Sequence, residues 1–181
     1  LDCHNGQTAR TNLLSEIGKI SAHDPRRTNG RHDPAELRGG ANAHVECTDC
    51  HNPHALSSAA NDTGYIPIGA TLAYSKGVPL AGTEIETAQY EYEVCFRCHG
   101  DSAVPVSRRI GRQFQTDNLR LKFATTSPSF HPVAGPSPSS DTVSLNPSVP
   151  HGSMIRCTDC HNNDTGRRAG GSGPDGPHGS N

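Results

Sequence analysis

Large apolar side chains are scarce in this chain. It has no tryptophan, one methionine, four tyrosines and four phenylalanines, and only 29 of its 181 residues are Leu, Ile, Val or Phe. So little apolar surface cannot order an ordinary core of this length, and on that count alone the chain falls among disordered sequences. Strong net charge is missing too: sixteen basic and eighteen acidic residues leave −2, whereas disordered chains usually carry a large excess of one sign. The two absences agree only if something other than side chains supplies the core. No run approaches the roughly 18 apolar residues of a membrane span. A near-neutral balance with few aromatics leaves no nucleic-acid footprint. No glycine-rich loop leads into Lys and Ser/Thr for phosphate binding, and there is no Gly-x-Ser-x-Gly elbow.

Cysteine and histidine are abundant instead, at seven and eleven. Three Cys-x-x-Cys-His motifs occur: Cys47-Thr-Asp-Cys50-His51, Cys95-Phe-Arg-Cys98-His99 and Cys157-Thr-Asp-Cys160-His161. The seventh cysteine stands in Leu1-Asp2-Cys3-His4, which reads as the last four residues of a fourth such motif. Every cysteine is used by this pattern, so none is left for a disulfide framework. Cys-x-x-Cys-His is the attachment pattern of c-type haem. Two thiols add to the two vinyl groups of one porphyrin, and two intervening residues set both sulfurs on one side of a helical turn. The next histidine then turns its imidazole to the iron. A zinc ribbon joins two cysteine pairs around one metal and does not require histidine after each pair. A thioredoxin-like motif would occur once, in a βαβ context.

With these motifs the sequence resembles the multihaem c-type cytochromes over its whole length. The motif histidines are 47, 48 and 62 residues apart, and such dense spacing resembles extracellular electron-transfer cytochromes, including those that polymerise into filaments. The resemblance implies four haem c groups, with Cys3, Cys47, Cys50, Cys95, Cys98, Cys157 and Cys160 as thioether positions and His4, His51, His99 and His161 as proximal ligands. Two accounts of the first site stay open. Either the chain is a piece of a longer cytochrome, which is the favoured expectation, or its first haem is held by Cys3 alone.

Seven histidines remain, enough to give every iron a second one. The sequence reads as two copies of a two-haem unit, expected at 1–61 and 86–181 with a connecting segment at 62–85. Matched positions in the two copies make His32, His54, His131 and His178 the expected distal ligands. His32 and His131 are followed closely by proline, and His54 and His178 are preceded by it, which stiffens the backbone carrying the imidazole. In related cytochromes a Pro-His shortly after the motif reaches a neighbouring haem, which suits His54. His44 and His151, each shortly before a motif, rank next, and His23 last. Met154, the sole methionine, is expected to pack rather than ligate.

The expected fold is mostly irregular, with a few short helices wrapped around a row of covalently bound haems and little β-structure. Helices are expected over 8–22, on the spacing of Leu13, Leu14, Ile17 and Ile20, over 84–99, and more weakly over 107–116; a hairpin is expected within 64–80. The triplets Asn61-Asp-Thr63 and Asn163-Asp-Thr165 match a glycosylation acceptor and read as turns.

The implied function is electron transfer by hopping between closely spaced bis-His haems, not catalysis. Copies of the same chain, other cytochromes, redox proteins or extracellular acceptors are the expected partners. A subunit of an extracellular conductive filament is preferred, and a soluble periplasmic shuttle or a module of a larger complex is the alternative. A multihaem reductase needs an open iron position; many mark it with lysine in place of the motif histidine, and all four motifs here end in histidine. Covalent haem attachment places the chain in the periplasm or outside the cell, its leader removed. Two ionised propionates on each haem would take the formal −2 to about −10.

Overall fold

The computed structural model describes residues 2–9, 11–27, 44–54, 68–101, 118–137, 146 and 149–181. Within them irregular structure dominates, as the composition requires. Four short α-helices occur: α1 (Cys47–Cys50), α2 (Glu91–His99), α3 (Leu119–Lys122) and α4 (Cys157–Cys160). Single 3₁₀ turns lie at Asp2–His4, Pro25–Arg27, Ala70–Leu72 and Arg167–Ala169. β-structure among the described residues is confined to four isolated bridges, Asn5–Asn12, Ser21–Ser180, Gly77–Ile85 and Gly166–Gly173. No described helix is long and apolar enough to cross a membrane.

Contacts divide the chain into two compact units. One joins residues 1–31, 44–46 and 157–181, and the other holds 32–43 and 47–156. This grouping puts the first motif with the fourth and the second with the third. It is a different division from the sequence repeat, which pairs motifs in chain order.

The unit built from the chain ends has almost no apolar core. Ile17, 3% exposed, is its only buried aliphatic or aromatic side chain among the described residues apart from Pro174. Polar contacts replace the missing core. Asn163 is 1% exposed; its amide donates to the Pro174 carbonyl at 2.9 Å, and its Oδ1 accepts from the Thr165 amide at 3.0 Å and from Lys19 Nζ at 3.0 Å. Lys19 also pairs with Glu16 and, at 2.5 Å, with Asp164. Two bonds of 3.0 Å exchange between Ser21 and Ser180 close the ends together. The glycines of the tail permit this tightness. A Cβ on Gly171 would lie 2.1 Å from the Thr165 carbonyl oxygen, and one on Gly179 would lie 1.9 Å from that of Glu16. The Asn163 triplet is therefore a structural turn, its amide nitrogen committed inside the loop.

The expected helix over 8–22 is not formed. Residues 13–19 make successive turns, with Ile17 N–H donating to Leu13 at 3.1 Å and Lys19 N–H donating to Glu16 at 3.0 Å. Asn12 caps the Leu14 amide with its side chain, Gly18 weakens helix propagation, and Ser21 is drawn into the bridge with Ser180. Of the four spaced apolar residues only Ile17 is buried, while Leu14 is 38% and Ile20 60% exposed.

The second unit is organised on α2. Val78, Ala88, Tyr92, Val94, Phe96 and Val133 are buried there, and Tyr90, Tyr92, Phe96 and Phe123 form a chain of rings with centroids 5.2–6.5 Å apart. The helix starts at Glu91 rather than near residue 84, because the Glu93 carboxylate accepts from the Tyr90 and Gln89 amides at 3.1 and 2.6 Å. That carboxylate halts the chain in an N-terminal cap. Acidic Glu91 and Glu93 in the first turn and basic Arg97 and His99 in the last suit the helix dipole. Asn118 caps α3, its side chain accepting from Leu121 N–H at 3.2 Å. Arg120 of α3 grips Asp101 with two nitrogens, at 2.5 and 2.6 Å, and donates to the Leu80 carbonyl at 3.0 Å. Met154 lines a shallow crevice with Tyr90, Tyr92, Val133 and Ile155. Residues 68–80 hold the 3₁₀ turn at Ala70–Leu72 and Gly77 of the bridge to Ile85; 64–67, where the expected hairpin would begin, the helix expected over 107–116 and the Asn61 triplet lie outside the described residues.

Candidate functional site

Each intact Cys-x-x-Cys-His motif folds as one helical turn. The two Cys-Thr-Asp-Cys segments are α1 and α4, and the His51 and His161 amides donate to the Cys47 and Cys157 carbonyls at 2.9 and 2.8 Å. The third motif is the last turn of α2, ending on His99. In a helix, residues three apart share a face, so each turn carries its two sulfurs on one side. Asp2-Cys3-His4 folds as a single 3₁₀ turn, with the His4 carbonyl accepting from Leu13 N–H at 2.8 Å. None of the seven cysteines is joined in a disulfide.

The second and third motifs lie side by side. Arg97, in the third motif, donates to the Asp49 carbonyl of the second; its guanidinium lies 3.9 Å from the Asp49 carboxylate and 3.6 Å from that of Glu84. Burial pushes the Cys50 thiol up to about 11, and the charges of Asp49 and of Cys98 in the facing motif add to that rise. The fourth motif has its own arginine: Arg168 donates to Asp159 at 3.0 Å and to the Thr158 hydroxyl at 3.4 Å.

The His51 and His178 rings each have Nδ1 fixed by a backbone carbonyl. His51 Nδ1 lies 2.8 Å from the Thr71 carbonyl oxygen, and His178 Nδ1 lies 2.8 Å from that of Asp175. A carbonyl only accepts, so Nδ1 carries the proton in both, and in the neutral ring Nε2 is the lone-pair nitrogen. That is the tautomer a metal-bound imidazole takes, with a backbone carbonyl as its outer partner.

No family model, curated protein or solved structure matches the chain. The candidate site therefore stands on its own residues.

Of the expected proximal histidines, His51 and His99 are half-buried and His4 and His161 exposed. Among the expected distal ones, His178 is half-buried in the unit that contains His4 and His161, together with half-buried His44 and exposed His23. His54, His131 and His151 are exposed in the unit that contains the second and third motifs. The His54 amide donates to Asn52 Oδ1 at 3.0 Å, and the His131 carbonyl accepts from Val133 N–H at 2.7 Å, so both histidines sit on tight turns. His32 lies outside the described residues. Among the described residues no three His, Cys, Asp or Glu side chains converge on one point, the arrangement a four-coordinate zinc site needs.

Sequence reasoning passed over Thr71, Ser75 and Arg97. A carbonyl partner such as that of Thr71 leaves no residue-type signal. Arg97 did leave one: the third motif carries arginine where the other two carry aspartate, opposite charges at equivalent positions.

Proposed function

We propose that this chain is a multihaem c-type cytochrome that carries electrons and turns over no substrate. The observation that carries the reading is the folding of three Cys-x-x-Cys-His segments into the same helical turn, one with its imidazole already held by a carbonyl at Nδ1. The near-absence of an apolar core in the unit built from the chain ends also supports it, because that unit needs apolar surface its side chains lack. The residues fit haem c: Cys47 with Cys50, Cys95 with Cys98, and Cys157 with Cys160 would each hold one group by two thioethers, and Cys3 would contribute to the first. His4, His51, His99 and His161 would ligate from one side. Among the spare histidines, His178 has the tautomer a ligand requires. Bound haem irons would supply one-electron chemistry and pass electrons from one to the next.

Within this reading the preferred version is a subunit of an extracellular filament, because histidines surplus to four haems are available for donation to a neighbouring copy. A soluble periplasmic carrier is the alternative. Pyridine haemochrome stoichiometry with intact mass and peptide mapping tests the reading. Four haems per chain and modified cysteines in every intact motif are expected; unmodified cysteines in protein made with a haem-attachment system would overturn it. Electron microscopy at neutral pH separates the versions, since discrete monomers alone would exclude the filament.

A further inference from the structure

The turn at 69–78 does more than supply a carbonyl to His51. It is bonded to the second motif and to the segment that leads through α2 into the third, and Ser75 is where the two sets of bonds meet. Ser75 is 5% exposed. Its hydroxyl donates to the Cys50 carbonyl at 2.6 Å, and its own carbonyl accepts from Ala88 N–H at 2.7 Å. Its amide donates to the Leu72 carbonyl at 3.2 Å, and the Leu72 amide donates to that of Gly69 at 2.8 Å, so Thr71 lies inside the Gly69–Leu72 turn, which runs directly into a second turn closed by Ser75. Beyond Ser75, Gly77 exchanges bonds of 3.0 and 2.8 Å with Ile85, and Val78 N–H donates to the Glu93 carbonyl of α2 at 2.8 Å. A Cβ on Gly77 would lie 2.8 Å from Ala88 Cβ and 2.9 Å from Glu93 Cβ, so the turn is seated directly against the helix that ends in the third motif. Tyr74 adopts a φ of 62°, a strained conformation for a bulky side chain that persists only where its surroundings impose it. The Asn52 amide donates to the Tyr74 carbonyl at 3.4 Å.

We infer that Ser75 is a positioning residue: it anchors the turn that presents the Thr71 carbonyl to His51, and so sets how strongly that imidazole donates to a bound iron. The inference rests on the cytochrome reading. A carbonyl on Nδ1–H makes the imidazole a stronger electron donor and favours the oxidised metal. Loosening the turn weakens that bond and favours reduction at the His51 haem.

The test uses the haem-loaded full chain. Ser75→Ala removes the anchor, and Ser75→Thr keeps the hydroxyl. Spectroelectrochemistry of Ser75→Ala should show one couple moved upward by about a tenfold change in the reduced-to-oxidised ratio, about 59 mV for one electron. The others should hold their values, and Ser75→Thr should restore the shifted couple. In the reduced protein, the His51 Nδ1 proton should exchange with solvent about tenfold faster in Ser75→Ala, a readout independent of potential. A haem-loaded Ser75→Ala protein with unmoved couples and unchanged proton exchange overturns the inference. So does a uniform shift of all couples, or failure to load haem only at this variant, since either marks Ser75 as a general stability residue. Absence of covalent haem in the unsubstituted chain would overturn the cytochrome reading itself, and with it this inference.

Discussion

Asn163→Ala is the sharpest probe of the unit that joins the chain ends. Asn163 is 1% exposed, and alanine removes every side-chain bond it makes while keeping the backbone. The Pro174 carbonyl, in a buried residue, loses its 2.9 Å donor. Leaving a buried polar group unsatisfied costs about 1–3 kcal/mol. The Thr165 amide loses its 3.0 Å acceptor, worth about another 1 kcal/mol. Lys19 keeps Glu16, Asp164 and Thr165 as partners, so its share of the loss is small. The total is about 2–4 kcal/mol, a large part of the roughly 5–15 kcal/mol that stabilises a typical domain. Native-state hydrogen exchange on the haem-loaded protein reads this directly. A loss of about 3 kcal/mol corresponds to exchange on the order of 100-fold faster. The reporters are the amides of Gly166, Gly173 and Ser180, bonded to Asn163, Thr165 and Ser21. The Gly100 amide, bonded to Phe96 at the end of α2, is the reference and should be unaffected. Acceleration of less than about threefold at Gly173 and Ser180 would show that the loop does not depend on its buried asparagine.

Other expectations follow from the same contacts. Arg97→Ala should cost about 2 kcal/mol, the worth of a charge-assisted bond to the Asp49 carbonyl. Arg97→Lys should recover only part of it, because one ammonium cannot reach both Asp49 and Glu84 as the fork does. An Arg97→Lys variant as resistant to urea as the original would contradict this. Acid should weaken the fold: hydrogen bonds from Arg120 hold the Asp101 carboxyl, and from Lys19 the Asp164 carboxyl, below their ordinary 3.8. For Glu16, burial pushes upward from 4.5, but the bonds from Lys19, Ser15 and Thr165 outweigh it and leave it lowered. Carboxyls with depressed folded values stabilise at neutral pH, and the contribution disappears as pH falls from about 4.5 through those values. Urea midpoints measured from pH 7 to pH 3 should fall less steeply in a Lys19→Met, Arg120→Met double variant, and an identical slope would remove these pairs from the account. Chain produced without haem should lack compact structure by circular dichroism, as metal-dependent small domains do without metal; a folded spectrum would show that the side chains suffice.

The local fold of each motif was legible in the sequence because its residue types stand at a fixed helical spacing. Two cysteines three apart and a histidine next in line describe one helical turn wherever they occur, and α1, α4 and the end of α2 are that turn. The loop-rich architecture was legible for a related reason: a chain with 19 glycines, 14 prolines and few large apolar residues has little to stack into regular layers. Apolar spacing misled at 8–22, where four residues at helical intervals were outweighed by an asparagine cap, Gly18 and the bridge to Ser180, the last formed with a partner 159 positions away in the sequence. Tertiary structure alone decided the partners. Sequence order pairs the first motif with the second, whereas packing groups the first with the fourth and the second with the third. Nothing in residue type announced that the glycine-rich tail closes on a buried asparagine, or that the Thr71 and Asp175 carbonyls hold the His51 and His178 rings. A backbone carbonyl is the same at every residue, so only the path of the chain determines which one meets an imidazole.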